Sequence, residues 1–195
     1  MRPSNELQAV LDTLAQRTSL QPLSPKQVWN PSLVQQISSL TLPHSSHPAT
    51  IALLTGLHLR NDSIDRAHAY AQQIEDDSTG MYWHAIIHRM EGDYSNAKYW
   101  FRMTGHHPAM TGLYERASLQ LPSLISSSQL TPHVESSLQS IIRQPDIWDA
   151  VQFTSLVQQH QQGSTSNEAA SVLEQLQLYE VASLFDYTLH HFLTI

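Results

Sequence analysis

Apolar residues in this chain recur at intervals of three and four, segment after segment, and nowhere do they alternate with polar ones over the length of a strand. Leu7, Val10, Leu11 and Leu14 mark a first helix over 5–16, capped by Ser4 or Asn5. Ser24-Pro25 predicts a short second helix to about Trp29, and Asn30-Pro31 a third carrying Leu33, Val34, Ile37 and Leu40. A loop at 43–48 is followed by a helix to Arg60, and Ser63 caps another over 64–74. The acidic run 75–80 reads as a turn, and residues 82–104 as two helices split at Glu91-Gly92-Asp93. Pro108 opens a helix to about Leu119, interrupted by Pro122, and Thr131-Pro132 caps one that ends before Pro145. Helices over 146–160 and 167–192, joined by a flexible 163–167 connection, complete the chain. The expectation is an all-α fold, one domain over 1–195 with nine or ten helices stacked as antiparallel hairpins. A double hairpin over 48–108 precedes C-terminal helices over 109–195.

Composition narrows the function. A chain of 195 residues can bury an ordinary single core. Net charge is −7 and the ten Lys and Arg form no basic stripe, which argues against nucleic acid or an anionic membrane as partner. The absence of cysteine removes disulfides, thiolate metal sites and cysteine nucleophiles. No apolar run approaches a membrane span, and residues 1–6 lack the apolar core of a secretory signal, so a cytoplasmic location is expected.

A shift of thirty residues lays His58 on His88, Ala67 on Ala97 and Tyr70 on Trp100 without a gap. Each unit is a helix, a tight polar turn and a second helix, which resembles tetratricopeptide or Sel1-like repeats.

Candidate chemistry concentrates in 82–108. On a helix, His84, His88 and Glu91 share one face at i, i+4, i+7. The neighbouring hairpin supplies His68. These four are the candidate catalytic residues, as acid, base and orienter. If a divalent metal is bound, the candidate ligands are His84, His88 and Glu91. Twelve His give on the order of one i, i+4 pair by chance, so spacing alone does not choose between a metal and none. Ala85 after His84 departs from the His-Glu-x-x-His order, and no paired Glu-x-x-His segments occur. Arg89 and Lys98 are candidates for binding an anionic group. Asp93, Asn96, His107 and Trp83 complete the substrate-binding set, although Asp93 also suits a helix cap. Large aromatic side chains beside polar tips are what lines a small-molecule pocket between helices.

The pieces Gly56-Leu57, Asp62, Ala67-His68, 82–93, 96–102 and Gly105-His106-His107-Pro108 together resemble a family of uncharacterised bacterial and fungal proteins. Its motif reads Tyr-Trp-His-x-Ile-x-His-Arg-x-Glu-x-Asp, then Asn-x-Lys-Tyr-Trp-Phe-Arg and Gly-x-His-Pro. Trp148-Asp149 and 176–187 are also similar. The resemblance covers about half of the chain and brings no activity with it. It implies that His68, His84, His88, Arg89, Glu91, Asp93, Asn96, Lys98 and His107 act as one group.

Two functions follow as expectations. One is a small helical enzyme acting on a small organic molecule through a His/Glu-lined pocket, by acid–base or metal-assisted chemistry. The other is a non-catalytic helical-repeat module that docks a peptide or protein. Either is compatible with a homo-oligomer.

Overall fold

Caps and prolines set where most helices begin. A computed structural model describes residues 2–163, 165 and 167–195, and among them it contains ten α-helices and no strand. In order these are α1 (Asn5–Ala15), α2 (Pro31–Ser38), α3 (Pro48–Arg60), α4 (Ile64–Ala71), α5 (Ser78–Glu91), α6 (Tyr94–Thr104), α7 (Ala109–Ser126), α8 (Pro132–Ser140), α9 (Ala150–Gln161) and α10 (Asn167–Thr194). Side chains of Ser4, Asn30, Asp77, Asp93, Thr131 and Asp149 accept a first-turn N–H of the helix that each precedes. The connection expected at 163–167 lies partly outside the described residues. No helix is long and apolar enough to cross a membrane among those residues.

Three local expectations change. Residues 24–29 form no helix, because this segment is strapped to the end of α3. Gln21 donates to Leu59 O at 2.7 Å and to Asp62 Oδ1 at 2.7 Å, while Trp29 N donates to Asn61 O at 3.0 Å. Gly80 is not in a turn but in the first helical turn of α5, which starts at Ser78. A Cβ there would stand 2.1 Å from the Ile74 carbonyl oxygen, so only glycine lets α5 begin this close to the 3-10 turn Gln72–Ile74. Pro122 lies inside α7 rather than ending it, since Leu113, Ala117 and Leu121 hold the helix against α10 through the missing hydrogen bond.

The thirty-residue shift recurs as geometry. Asp62 and Gly92, thirty apart, both take the left-handed conformation, at φ 58° and 90°. The next amide, Ser63 N or Asp93 N, returns to the carbonyl of His58 or His88, at 2.9 Å each time. Both turns therefore close their helix by the same 6→1 hydrogen bond, and Ala67 and Ala97 occupy matching, fully buried positions behind them. Asp62 is not a glycine, and its side chain is held against the cost of that conformation by Arg17 at 2.8 Å and Gln21. Hairpins α3–α4 and α5–α6 stack on each other, α10 packs along α7 and α3, and α9 covers α6.

Helix α5 is buried almost all round, and at 100° per residue its polar groups fall on two opposite faces. Tyr82 and Arg89 share one face; His84, His88 and Glu91 share the other. The first face meets Glu180 of α10, which is fully buried. Tyr82 Oη donates to Glu180 Oε1 at 3.2 Å, Trp148 Nε1 donates to the same oxygen at 3.0 Å, and Arg89 Nη2 pairs with Oε2. The guanidinium carbon also lies 4.6 Å from the Phe153 ring centre and 5.5 Å from that of Phe101. Glu180→Gln would leave Arg89 buried without a counter-charge. Chemical denaturation is expected to show a loss of about 3–5 kcal/mol. A loss within experimental error would mean that the pair does not anchor α5.

Candidate histidine centre

Three imidazoles from two hairpins meet where α4 faces α5. One nitrogen from each of His68, His84 and His88 lies within 4.8 Å of the other two. The Nε2 atoms of His68 and His84 are 2.9 Å apart. His84 is sandwiched, stacked on His88 at 4.6 Å and on Trp100 of α6 at 4.7 Å, while His68 meets both other imidazoles edge-on. His84 and His88 are buried, and the cluster reaches solvent through the partly exposed His68 and Glu91.

Carboxylates stand behind the rings. Glu91 Oε1 is 2.7 Å from His68 Nδ1, and its Oε2 is 3.4 Å from His88 Nδ1. Glu75, just before α5, brings Oε1 to 3.4 Å from His84 Nδ1. The two longer contacts are electrostatic, because the Nδ1 atoms of His84 and His88 are buried and make no hydrogen bond. All three Nδ1 atoms thus face a carboxylate, while the Nε2 atoms of His68 and His84 face each other.

Electrostatics follow from this packing. Burial, then the neighbouring His88 and His68, lower the His84 pKa to about 4, against a smaller upward pull from Glu91. His84 is therefore neutral at pH 7. Burial pushes the Glu91 carboxyl up, but its contacts with His88 and His68 more than offset this and hold it below the ordinary glutamate value. A neutral, buried His84 with a charged carboxylate at the rim suits either proton transfer or metal ligation.

The remaining expected site residues lie elsewhere. Arg89 is buried on the opposite face of α5 with Glu180 and offers no charge to an incoming anion. Trp83 is buried and donates its Nε1–H to Thr188 at 3.2 Å. His107 is buried between Tyr82 and Tyr187; its Nδ1 accepts from Ala109 N, and its Nε2 lies 3.2 Å from Thr79 Oγ1. Asp93 caps α6, with Asn96 donating to it through both backbone and side chain. Lys98 reaches across to Gln158 of α9 at 2.8 Å. These are packing and capping roles, explained by where each residue falls on its helix. Conversely, Glu75 and Trp100 belong beside the cluster but were not among the candidates. Only the acidic run before α5 hinted at Glu75.

Clefts elsewhere on the molecule are separate from the cluster. One of about 530 Å³ is lined by His133, Ser136, Arg143 and Asp149, and one of about 280 Å³ by Phe101, Met110, Trp148 and Ala150. Neither lining contains a member of the histidine cluster, and the chemistry of the first is ordinary surface polarity. The class defined by fold and site is an all-helical protein with a three-histidine cluster able to hold a metal ion. No protein family, no curated protein and no solved structure matches this chain.

Burial also lowers His58 to about 4, helped by the charge of Arg66, and lowers His107 to about 4 against the pull of Asp77. In the unfolded chain such imidazoles take up a proton near pH 6.5, whereas in the folded chain they refuse it until about pH 4. The unfolded state then binds more protons over that window, so stability falls as pH drops from about 6.5 to 4. Thermal unfolding with a chelator present is expected to show Tm declining through this range, more shallowly for His58→Leu. A Tm flat between those pH values would contradict the assignment.

Proposed function

We propose that this chain is a small helical enzyme acting on a small organic molecule at the mouth of the His68–His84–His88–Glu91 cluster, by acid–base or metal-assisted chemistry. The observation that carries this reading is a continuous path of close contacts. It leads from the partly exposed Glu91 carboxylate through His68, at 2.7 Å, to buried His84, at 2.9 Å. A carboxylate on Nδ1 fixes the tautomer and orientation of His68, so its Nε2 edge is presented in one way. His68 exchanges the proton with substrate, Glu91 orients it, and His84 and His88 form the dry inner wall. A substrate must be small, because it meets the cluster at the His68–Glu91 edge while His84 and His88 are buried.

The second reading, a module that docks a peptide on the hairpin pair, is favoured by Tyr99 and Met103. They lie one turn apart on α6, each about half exposed.

Incubation with pooled small metabolites, read by mass spectrometry, distinguishes the two. Wild type is expected to consume one compound, with His68→Gln slower by about a hundredfold or more. Identical product profiles for wild type, His68→Gln and His84→Ala would reject the enzyme and leave docking.

A further inference from the structure

The geometry points to a divalent metal centre in which His68, His84 and His88 are the ligands, each through Nε2, with Glu91 and Glu75 as the carboxylates behind them. This rests on reading the cluster as the reacting site. It differs from the set His84, His88 and Glu91 that helix spacing alone suggests, since Glu91 faces the Nδ1 side of two rings and not the convergence point.

The argument is one of hydrogen placement. Glu91 accepts the Nδ1–H of His68, which leaves His68 Nε2 a lone pair. That lone pair faces His84 Nε2 at 2.9 Å. If His84 carries its hydrogen on Nε2 to satisfy this contact, its buried Nδ1 becomes a bare lone pair directed at the Glu75 side, with a carboxylate oxygen at 3.4 Å. If the hydrogen sits on Nδ1 instead, the two Nε2 lone pairs collide. One cation between the Nε2 atoms removes the conflict. A proton can do this for two rings; a metal ion does it for all three and uses the nitrogen of His88 as well. Metal binding then only moves the His84 hydrogen from Nε2 to Nδ1, where Glu75 faces it, and no hydrogen is gained or lost.

Three imidazoles with carboxylates facing their far nitrogens are a donor set for zinc or another late first-row divalent ion, with a fourth position free. Metal–nitrogen bonds of about 2.0–2.1 Å place tetrahedral donors about 3.4 Å apart, so the His68–His84 pair, at 2.9 Å, opens slightly and the widest pair, at up to 4.8 Å, closes. His68, at the open edge of α4, has room to make that adjustment. The free position falls at the same edge, where a water or a small substrate reaches it.

Protein expressed without a His-tag and stripped with chelator is titrated with Zn2+ by calorimetry, and with Co2+ by its visible absorption. One ion per chain is expected, with the intense bands of four-coordinate cobalt. His68→Ala, at a partly exposed position, should abolish stoichiometric binding while keeping the helical circular-dichroism spectrum and the metal-free Tm. His84→Ala should do likewise, and if it does not fold, His68→Ala carries the test. Glu91→Gln should weaken binding about 10–100-fold, and His106→Ala should leave it unchanged. No saturable binding by wild type, or equal binding by His68→Ala, overturns the metal centre. In that event His68-dependent conversion of a small molecule would still uphold acid–base catalysis. One ion bound without any conversion would uphold the centre and reject the enzyme.

Discussion

The placement of every other polar group on α5 depends on the buried Arg89–Glu180 pair. A helix buried almost all round has no amphipathic stripe to decide which way it faces, and its hydrophobic side chains would pack tolerably in several rotations. A guanidinium and a carboxylate withdrawn from water tolerate only one. With Arg89 turned to Glu180, and Tyr82 and Trp148 sharing the same carboxylate, the opposite face is fixed toward α4 and α6. That face carries His84, His88 and Glu91. Such a pair adds little net stability against well-packed apolar residues, but breaking it by half is costly, so it specifies an orientation more than it strengthens the core.

The two hairpins also show how the cluster arises from a repeated plan. The turns close by the same hydrogen bond, and the shift by thirty sets Leu54, His58 and Asn61 under His84, His88 and Glu91. At those three positions the first hairpin has one imidazole, His58. His58 is buried with neither nitrogen bonded, stacked on Tyr70 at 5.6 Å. Its ring partner is a tyrosine and not a second imidazole, and it is closed off from solvent. In the second hairpin, substitutions one turn before and one turn after give His88 a stacked partner and a rim carboxylate. His68, from the first hairpin, closes the group; its own counterpart in the second is Lys98, which turns to Gln158. The site therefore exists once, between two similar units, and not in each of them.

The helical fold was legible in the sequence because caps, prolines and apolar spacing act locally. Departures came where a distant contact outweighed local preference: the strap of Gln21 and Trp29 onto α3, the Ile74 carbonyl over Gly80, and the packing of α7 through Pro122. The same division holds for the site. His84, His88 and Glu91 share a face by arithmetic within one helix, and His68 followed from a neighbouring hairpin. That arithmetic also places Arg89 with Tyr82 on the far side, which separates it from the cluster despite being next to His88 in the chain. Glu180, ninety-one residues away from Arg89, left no comparable local signal. Glu75 gave only its charge.

What gives the cluster its chemical character is the order in which charge and burial are arranged along it. Moving the rim carboxylates inward would demand a buried counter-charge, as Glu180 does on the other face of the same helix. Keeping His84 neutral avoids that demand, because an uncharged imidazole costs far less to bury than an ion. The consequence is a buried His84 that resists protonation, beside an exposed Glu91 that stays ionised, within reach of one partly exposed ring. Helix α5 thus solves two opposite electrostatic problems back to back. One face satisfies a permanent charge by pairing it; the other gathers three imidazoles, one nitrogen of each within 4.8 Å of the other two. In the proposed centre, a metal ion arriving from solvent is what engages all three rings of that second face.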